Sequence, residues 1–310
     1  MERKIFEADG ISLANLKDIS MRQAELLDAR VCEISFIAQR LAASVAQLTS
    51  AGLAAADAIA ELYTDDEVEV FTPRGSFVNP LHSGVLVTPD AADGAVLSAL
   101  LLEKLDSLGV HVTEADYLDS DVADETFTYV RGALSDEAYD VFSQEFDDPR
   151  VSYSATWREA CLSVADGNVG YCILPFEERG GVRVPIISEL AAGLGLKIVA
   201  VTPVFGFEGN ADMKYALLKR GFVIPDNDED TDRYLEIKLP GNISGGIPRL
   251  FSAAEGLGVS VYRINTLGDT DSLSYSVIFK DGGGGFAALL TYLSVFIGEY
   301  LPIGIYKNLE

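Results

Sequence analysis

Apolar and polar positions along this chain recur in two periods, and the alternation of those periods outlines the elements. Leu13, Leu16, Ile19, Ala24, Leu26, Leu27, Val31, Ile34, Ile37 and Leu41 fall largely on i, i+3, i+4 spacing, which predicts an amphipathic helix. Ser12 is placed to cap it. Gly52 breaks the run, and the Ala-rich Leu53–Leu62 predicts a second helix. Val68-Glu69-Val70-Phe71 predicts a strand, and Thr72-Pro73-Arg74-Gly75-Ser76-Phe77 a connecting turn. A strand over Gly84–Thr88, a helix over Ala95–Leu108 stopped by Gly109, and a strand over Val110–Thr113 follow.

The middle of the chain carries the clearest alternation. Phe127–Val130 is a short apolar run. Helix-like segments follow at Ser135–Phe146 and Trp157–Ala165, with Arg150–Ser154 between them. Val169–Phe176 is the most strand-like run, and Pro185–Leu194 predicts a helix leading into a strand at Leu196–Thr202. Strands alternating with helices predict a parallel or mixed sheet with helices on its faces. A ligand of such a sheet sits at the carboxyl ends of its strands, which here carry Gly132, Ser135, Glu177, Glu178 and Arg179. Residues 221–232 are acidic and polar and read as a linker. The last unit alternates as strand Tyr234–Leu239, helix Ile247–Gly256, strands Val259–Ile264 and Ser274–Phe279, helix Gly285–Tyr300 and strand Ile303–Tyr306. That order is ferredoxin-like. The segment 83–118 followed by 126–153 permits a second reading as another such unit, against one in which it extends the central sheet.

Composition narrows the function classes. The 310 residues suffice for more than one domain, and 48% are hydrophobic, as in a folded globular protein. No run approaches the roughly 18 apolar residues of a membrane span, and Met1–Phe6 lacks a signal-peptide core, so a cytoplasmic location is expected. The formal charge of −25 argues against nucleic-acid binding, which needs clustered Lys and Arg. Two histidines, His82 and His111, and three cysteines without ligand spacing make a metal site unexpected. The cysteines Cys32, Cys161 and Cys172 stand in apolar stretches and read as buried free thiols.

Three stretches resemble a known family. Tyr129-Val130-Arg131-Gly132-Ala133-Leu134-Ser135-Asp136-Glu137-Ala138 resembles the opening of prephenate dehydratases, where a Gly-rich turn runs into Ser-x-x-Ala on a helix. Ala160–Glu177, ending in Leu174-Pro175-Phe176-Glu177, is similar to the run leading to that family's Pro-Ile-Glu-Asn-Ser. Leu194–Leu218, with Asn210 and then Met213-Lys214-Tyr215, is similar to its last segment, which ends in Asn-x-x-Thr-Arg-Phe. The last unit resembles the ACT regulatory domain that follows the catalytic part, down to Ile303-Gly304-Ile305-Tyr306 against Leu-Gly-Ser-Tyr.

The resemblance implies site residues by position. Lys214, Glu177, Arg179 and Ser135 are the candidates for catalysis, and Gly245, Gly246, Ile247, Asn265 and Thr266 those for ligand binding. It implies no cofactor and no metal. In the family a Thr hydroxyl assists the leaving group and the adjacent Arg binds substrate. Here Met213 stands in place of the Thr and Lys214 in place of the Arg, and Glu178-Arg179 replaces Asn-Ser. The family's second lobe is absent from its usual place, because Arg179-Gly180-Gly181 passes almost directly to Ile186.

The expected architecture is α/β: a helical region 1–65, an α/β region 66–220 resembling a dehydratase lobe, the linker, and an ACT-like unit 233–310. Two functions follow. One is a binding or regulatory module for an aromatic amino acid or related carboxylate, in a homodimer. The other is an active prephenate dehydratase. Leu26-Leu27-Asp28-Ala29-Arg30 resembles the first helix of helical chorismate mutases, against which a packing or oligomerising arm is the simpler reading.

Overall fold

The computed structural model describes residues 13–62, 69–72, 75–78, 91–120, 124–178, 181–205, 211–225, 232–241, 246–267 and 274–309. The expected Gly84–Thr88 strand, the cap Ser12 and the site residues Arg179 and Gly245 lie outside them.

Helix α1, Leu13–Ser50, buries Ile34, Ala38, Leu41, Ala42 and Val45. These positions share one helix face. That face packs on Leu97, Leu101 and Leu105 of α3, Ala91–Ser107. Arg30 of α1 reinforces the contact by donating from Nη2 to Asp93 Oδ2 of α3 at 2.7 Å. Upstream of Arg30, Met21, Leu26 and Leu27 are exposed. Cys32 of the same helix is exposed, so only Cys161 and Cys172 are buried thiols. Gly52, at φ +101°, ends the first helix, and α2 follows at Ala55–Ala60.

Two expectations nearby are corrected. Gly75–Val78 is a strand, β2, paired antiparallel with β1, Glu69–Thr72, so Gly75-Ser76-Phe77 belong to a strand and not to the predicted turn. Residues 110–113 form no strand. Val110 and Val112 pack against the α1–α3 core, and Thr113 caps the short helix α4, Glu114–Tyr117, through Asp116. A capping box starts a helix at once and leaves no room for a strand.

The central strands are β3 Thr126–Tyr129, β4 Arg150–Tyr153, β5 Tyr171–Glu178, β6 Val182–Arg183, β7 Lys197–Phe205 and β8 Ala211–Lys219. Between them run α5 Ala133–Phe142, α6 Trp157–Ala165 and α7 Pro185–Leu194. Thr156 caps α6 by accepting from the Glu159 amide, and Pro185 opens α7, where its missing N–H costs nothing. The C-terminal elements are β9 Arg233–Pro240, α8 Gly246–Gly256, β10 Val259–Leu267, β11 Ser274–Asp281, α9 Ala287–Tyr292 and β12 Leu301–Asn308. The expected long helix over Gly285–Tyr300 is shorter. Asp281 Oδ1 accepts from the amides of Gly283 and Gly285 at 2.8 and 2.9 Å and holds the chain in a turn until α9. A π-helical turn, Leu293–Ile297, then ends at Gly298 with φ +71°.

All strands except the β1–β2 hairpin join one mixed sheet of ten, in the order β10-β11-β9-β12-β7-β8-β5-β3-β4, with β6 on β5. In the C-terminal part β11 lies between β9 and β10, and β9 lies between β11 and β12, the split βαβ arrangement. The chain therefore has the mixed α/β architecture expected of it. The segment 221–225 does not behave as a linker. Phe222 is buried beneath the Lys197 ammonium, its amide is bonded to Asp119, and it bridges to Ser120. An aromatic flanked by core outweighs the acidity of its neighbours in sequence.

β10 and β5 are six places apart in this order, roughly 29 Å in a flat sheet. Arg263 of β10 nevertheless bonds Glu177 of β5, so the sheet is curled. Its concave side holds α6, α7, Leu174, Phe176, Tyr234, Ile278 and Tyr306. The central and C-terminal strands meet where β12 pairs parallel to β7, Gly304 opposite Ile198. A Cβ at Gly304 would stand 2.6 Å from the Ile198 carbonyl oxygen and 2.7 Å from its Cβ. Gly304→Ala is expected to destabilise the fold by roughly 1–3 kcal/mol through forced separation of these strands. A urea midpoint equal to wild type would show that β12 does not approach β7 this closely.

Candidate functional site

β5 is buried along its length until Glu178. At its carboxyl end the chain turns back through Gly181, at φ +79°, into the two-residue strand β6. This return sets Glu177 opposite Arg183, while β8 on the other side sets it opposite Lys214. Glu177 Oε1 accepts from Arg263 Nη1, and Oε2 lies 3.5 Å from Lys214 Nζ. Arg263 Nη1 also donates to the Gly181 carbonyl at 2.9 Å. The Glu177 side chain is 4% exposed, against 31% for Lys214 and 26% for Arg263.

A second pair lies deeper. Glu236 of β9 is fully buried and accepts from Arg183 Nη2 on both oxygens, at 3.0 and 2.9 Å, and from Ser276 Oγ at 2.7 Å. The Arg183 guanidinium stacks 3.4 Å over the Phe176 ring. Tyr306 stacks on Tyr234 beside these charges. Burial, with the carboxylates of Glu236 and Glu177, holds the Tyr306 phenol well above its ordinary value, and Arg183 pulls the other way. The cluster holds two carboxylates and three cations, one positive charge in excess within a strongly acidic chain.

Not every donor here is used. Arg183 Nε and Nη1 are buried without a hydrogen-bond partner, as is Asn265 Nδ2. Asn265 pairs with Ser276 in the β10–β11 ladder, and the Ser276 hydroxyl rests on the same Glu236 that holds Arg183. A buried N–H without an acceptor costs about 1–3 kcal/mol, which an acceptor entering the cluster recovers. A carboxylate matches the geometry of a guanidinium fork. The unused donors are all N–H groups, and among the described residues no group of three or more His, Cys, Asp or Glu is arranged to hold a metal.

The residues expected from sequence divide. Glu177 and Lys214 come together. Ser135 does not face them through its hydroxyl, which donates to the carbonyls of Val130 and Gly132 at 2.8 and 3.0 Å and closes the first turn of α5. Gly246, at φ +77°, opens α8 in a conformation that favours glycine. Ile247 packs on the core beneath α8, and Thr266 is exposed on β10. Arg183, Glu236, Ser276 and Arg263 were not expected. In Tyr234-Leu235-Glu236-Ile237-Lys238-Leu239 the strand period assigns Glu236 to the polar face, and only the curl of the sheet covers that face.

No family model and no curated protein sequence matches the chain. Among solved structures it is similar to one described as GqqA, a novel type of quorum quenching acylase, at 18% identity over 60% of this chain and 96% of that one, TM-score 0.46. It is similar to a prephenate dehydratase from Streptococcus mutans at 16% identity over 60% and 99%, TM-score 0.48. It is also similar to one from Arthrobacter aurescens in complex with L-Phe, at 14% identity over 58% and 89%, TM-score 0.43. At such identities and overlaps the chemistry must be argued from the residues themselves.

Removing one member of the buried pair strands the other charge. Glu236→Ala is expected to cost about 3–5 kcal/mol, and the double replacement Arg183→Met with Glu236→Leu much less. Equal losses in chemical denaturation would mean that the pair is not a unit. The Tyr306 phenol predicts an alkaline limit. Above its ordinary value of 10.0, the unfolded chain has lost this proton and the folded chain has not, so stability falls as pH rises. Tyr306→Phe should shallow that fall when denaturation midpoints are followed from about pH 8 to about pH 11. Parallel curves for the two proteins would refute it.

Proposed function

We propose that this chain is a dehydratase-like binding module for a small carboxylate of the aromatic amino acid or related keto-acid class, held against Arg183 without turnover. The observation that carries this reading is the buried guanidinium of Arg183, whose Nε and Nη1 donate to nothing. Prephenate loses a hydroxyl together with carbon dioxide, and that departure needs a proton donor at the leaving group. Met213, where the family places its catalytic Thr, has no proton to give. Both oxygens of Glu177 are engaged, one by Arg263 and one by Lys214. The resemblance over 127–219 and 234–306 supplies the ligand class, and the ACT-like order of β9 to β12 supports a sensing role. The cluster draws residues from both stretches, so a bound carboxylate touches both.

Calorimetric titration with prephenate and phenylpyruvate tests the reading. Binding is expected in the wild type, and Arg183→Lys, which keeps the charge but deletes the fork, should weaken it by about tenfold or more. Absence of heat, or equal affinity in a folded Arg183→Lys variant, would refute the site. Phenylpyruvate formation from prephenate above a blank, lost in Lys214→Ala, would replace the binding reading with an active dehydratase.

A further inference from the structure

Cys161 and Cys172 take no part in the polar cluster, and they stand together. The alternation of β5 sends Tyr171 and Ile173 to one face of the sheet and Cys172, Leu174 and Phe176 to the other. The second face is the one that α6 covers. On α6, Ala160, Cys161 and Val164 are the buried residues. Both thiols are thereby enclosed in one apolar core, each residue at 0% exposure. There the Cys172 thiol hydrogen-bonds to Cys161.

The frame around this pair is rigid. Cys172 is held on both sides, opposite Thr128 of β3 and Leu218 of β8. Cys161 lies inside a helix whose first turn is capped by Thr156. A disulfide forms only between cysteines whose side chains already approach one another, and thiols in contact meet that condition. The hydrogen bond also makes the two unequal. It favours the Cys161 thiolate and holds that group below its ordinary value, against the opposing effect of burial. Cys172, the donor, is held well above its ordinary value by the same bond and by burial. The thiolate is the nucleophile, so Cys161 reacts first.

We propose that Cys161 and Cys172 are a redox modification site, a core dithiol that hydrogen peroxide converts to a disulfide between α6 and β5. The Cys161 sulfur attacks one peroxide oxygen. An S–O bond forms, the O–O bond breaks, and the other oxygen leaves as water with the Cys161 proton. The product is a sulfenic acid. The Cys172 sulfur then attacks the Cys161 sulfur. The S–S bond forms, the S–O bond breaks, and the hydroxyl leaves as water with the Cys172 proton. Both thiols are oxidised and one peroxide is reduced to two waters. Hydrogen peroxide is neutral and close to water in size, which suits an enclosed site that glutathione disulfide is too large to enter. The new bond ties α6 to the strand face that also carries Phe176, the ring beneath Arg183.

Mass spectrometry of the full chain carrying Cys32→Ser tests this. The chain is treated with hydrogen peroxide while folded, and its remaining thiols are then alkylated in denaturant. The expected product is lighter by two hydrogens, with the Cys161 and Cys172 peptides joined, and dithiothreitol should restore both thiols. Glutathione disulfide should leave both reduced. Cys172→Ala should stop Cys161 at a sulfenic acid that dimedone captures, and Cys161→Ala should leave Cys172 unmodified. The oxidised chain should unfold at higher urea than the reduced one, a shift that neither alanine variant shows on peroxide treatment. These readings are taken without prephenate, so they stand or fall apart from the carboxylate site. Two free thiols after a peroxide dose that oxidises Cys32 of the unsubstituted chain would overturn the proposal. So would a disulfide that lowers the urea midpoint, or dimedone capture at Cys172 in place of Cys161.

Discussion

Charge buried between strands that are distant in the sheet is the constraint from which much of this architecture follows. Arg183 and Glu236 are both withdrawn from water, and each would be costly alone. They are tolerable only when β6 and β9 are held facing one another, with Phe176 beneath the guanidinium and Ser276 on the carboxylate. The partly exposed pair that Glu177 makes with Arg263 adds a second tie over the same gap, and Lys214 of the adjacent β8 braces Glu177. An apolar contact tolerates sliding, and these pairs do not, because a shift of one residue turns each charge to the other face. The curl of the sheet and the position of its polar cluster are thus one fact.

That curl also explains which parts of the molecule sequence reasoning reached. Helix α7 and the order of strands and helices from Phe127 to Tyr306 follow from periodicity and from punctuation by Pro and Gly. Strand β8 was legible only as a motif, through Met213-Lys214-Tyr215. Segment 110–113 looked like a strand because Val110 and Val112 alternate with polar residues, yet both serve the helical core. Phe222 sat in an acidic stretch whose average concealed it. Of the candidate site, Glu177 was singled out because it ends a strand and matches a motif, and Lys214 because it stands in the motif position of an Arg. Arg183 was hidden because a two-residue strand leaves no periodicity to read, and Glu236 because the group that covers it lies far away in sequence. Ser135 was a motif match whose hydroxyl is spent on its own turn.

The polar cluster is shared between two stretches of chain. Arg183, Glu177 and Lys214 come from the central strands, and Glu236, Ser276, Arg263 and Asn265 from the C-terminal ones. A molecule binding among them would change the attraction between the two stretches as much as it changed any single residue.

β12 is also the last of the described strands to be made. During synthesis β7 and β9 emerge well before it, and each waits with one edge unpaired until the segment around Gly304 arrives to lie between them. An open edge invites pairing with another chain, and the wait spans about a hundred residues for β7 and about sixty for β9, several seconds at the usual pace of translation. A nascent chain stalled before Leu301 would hold most of its core and still present two adhesive edges. The order of manufacture thus leaves an exposure to misassembly at the join between β7 and β9.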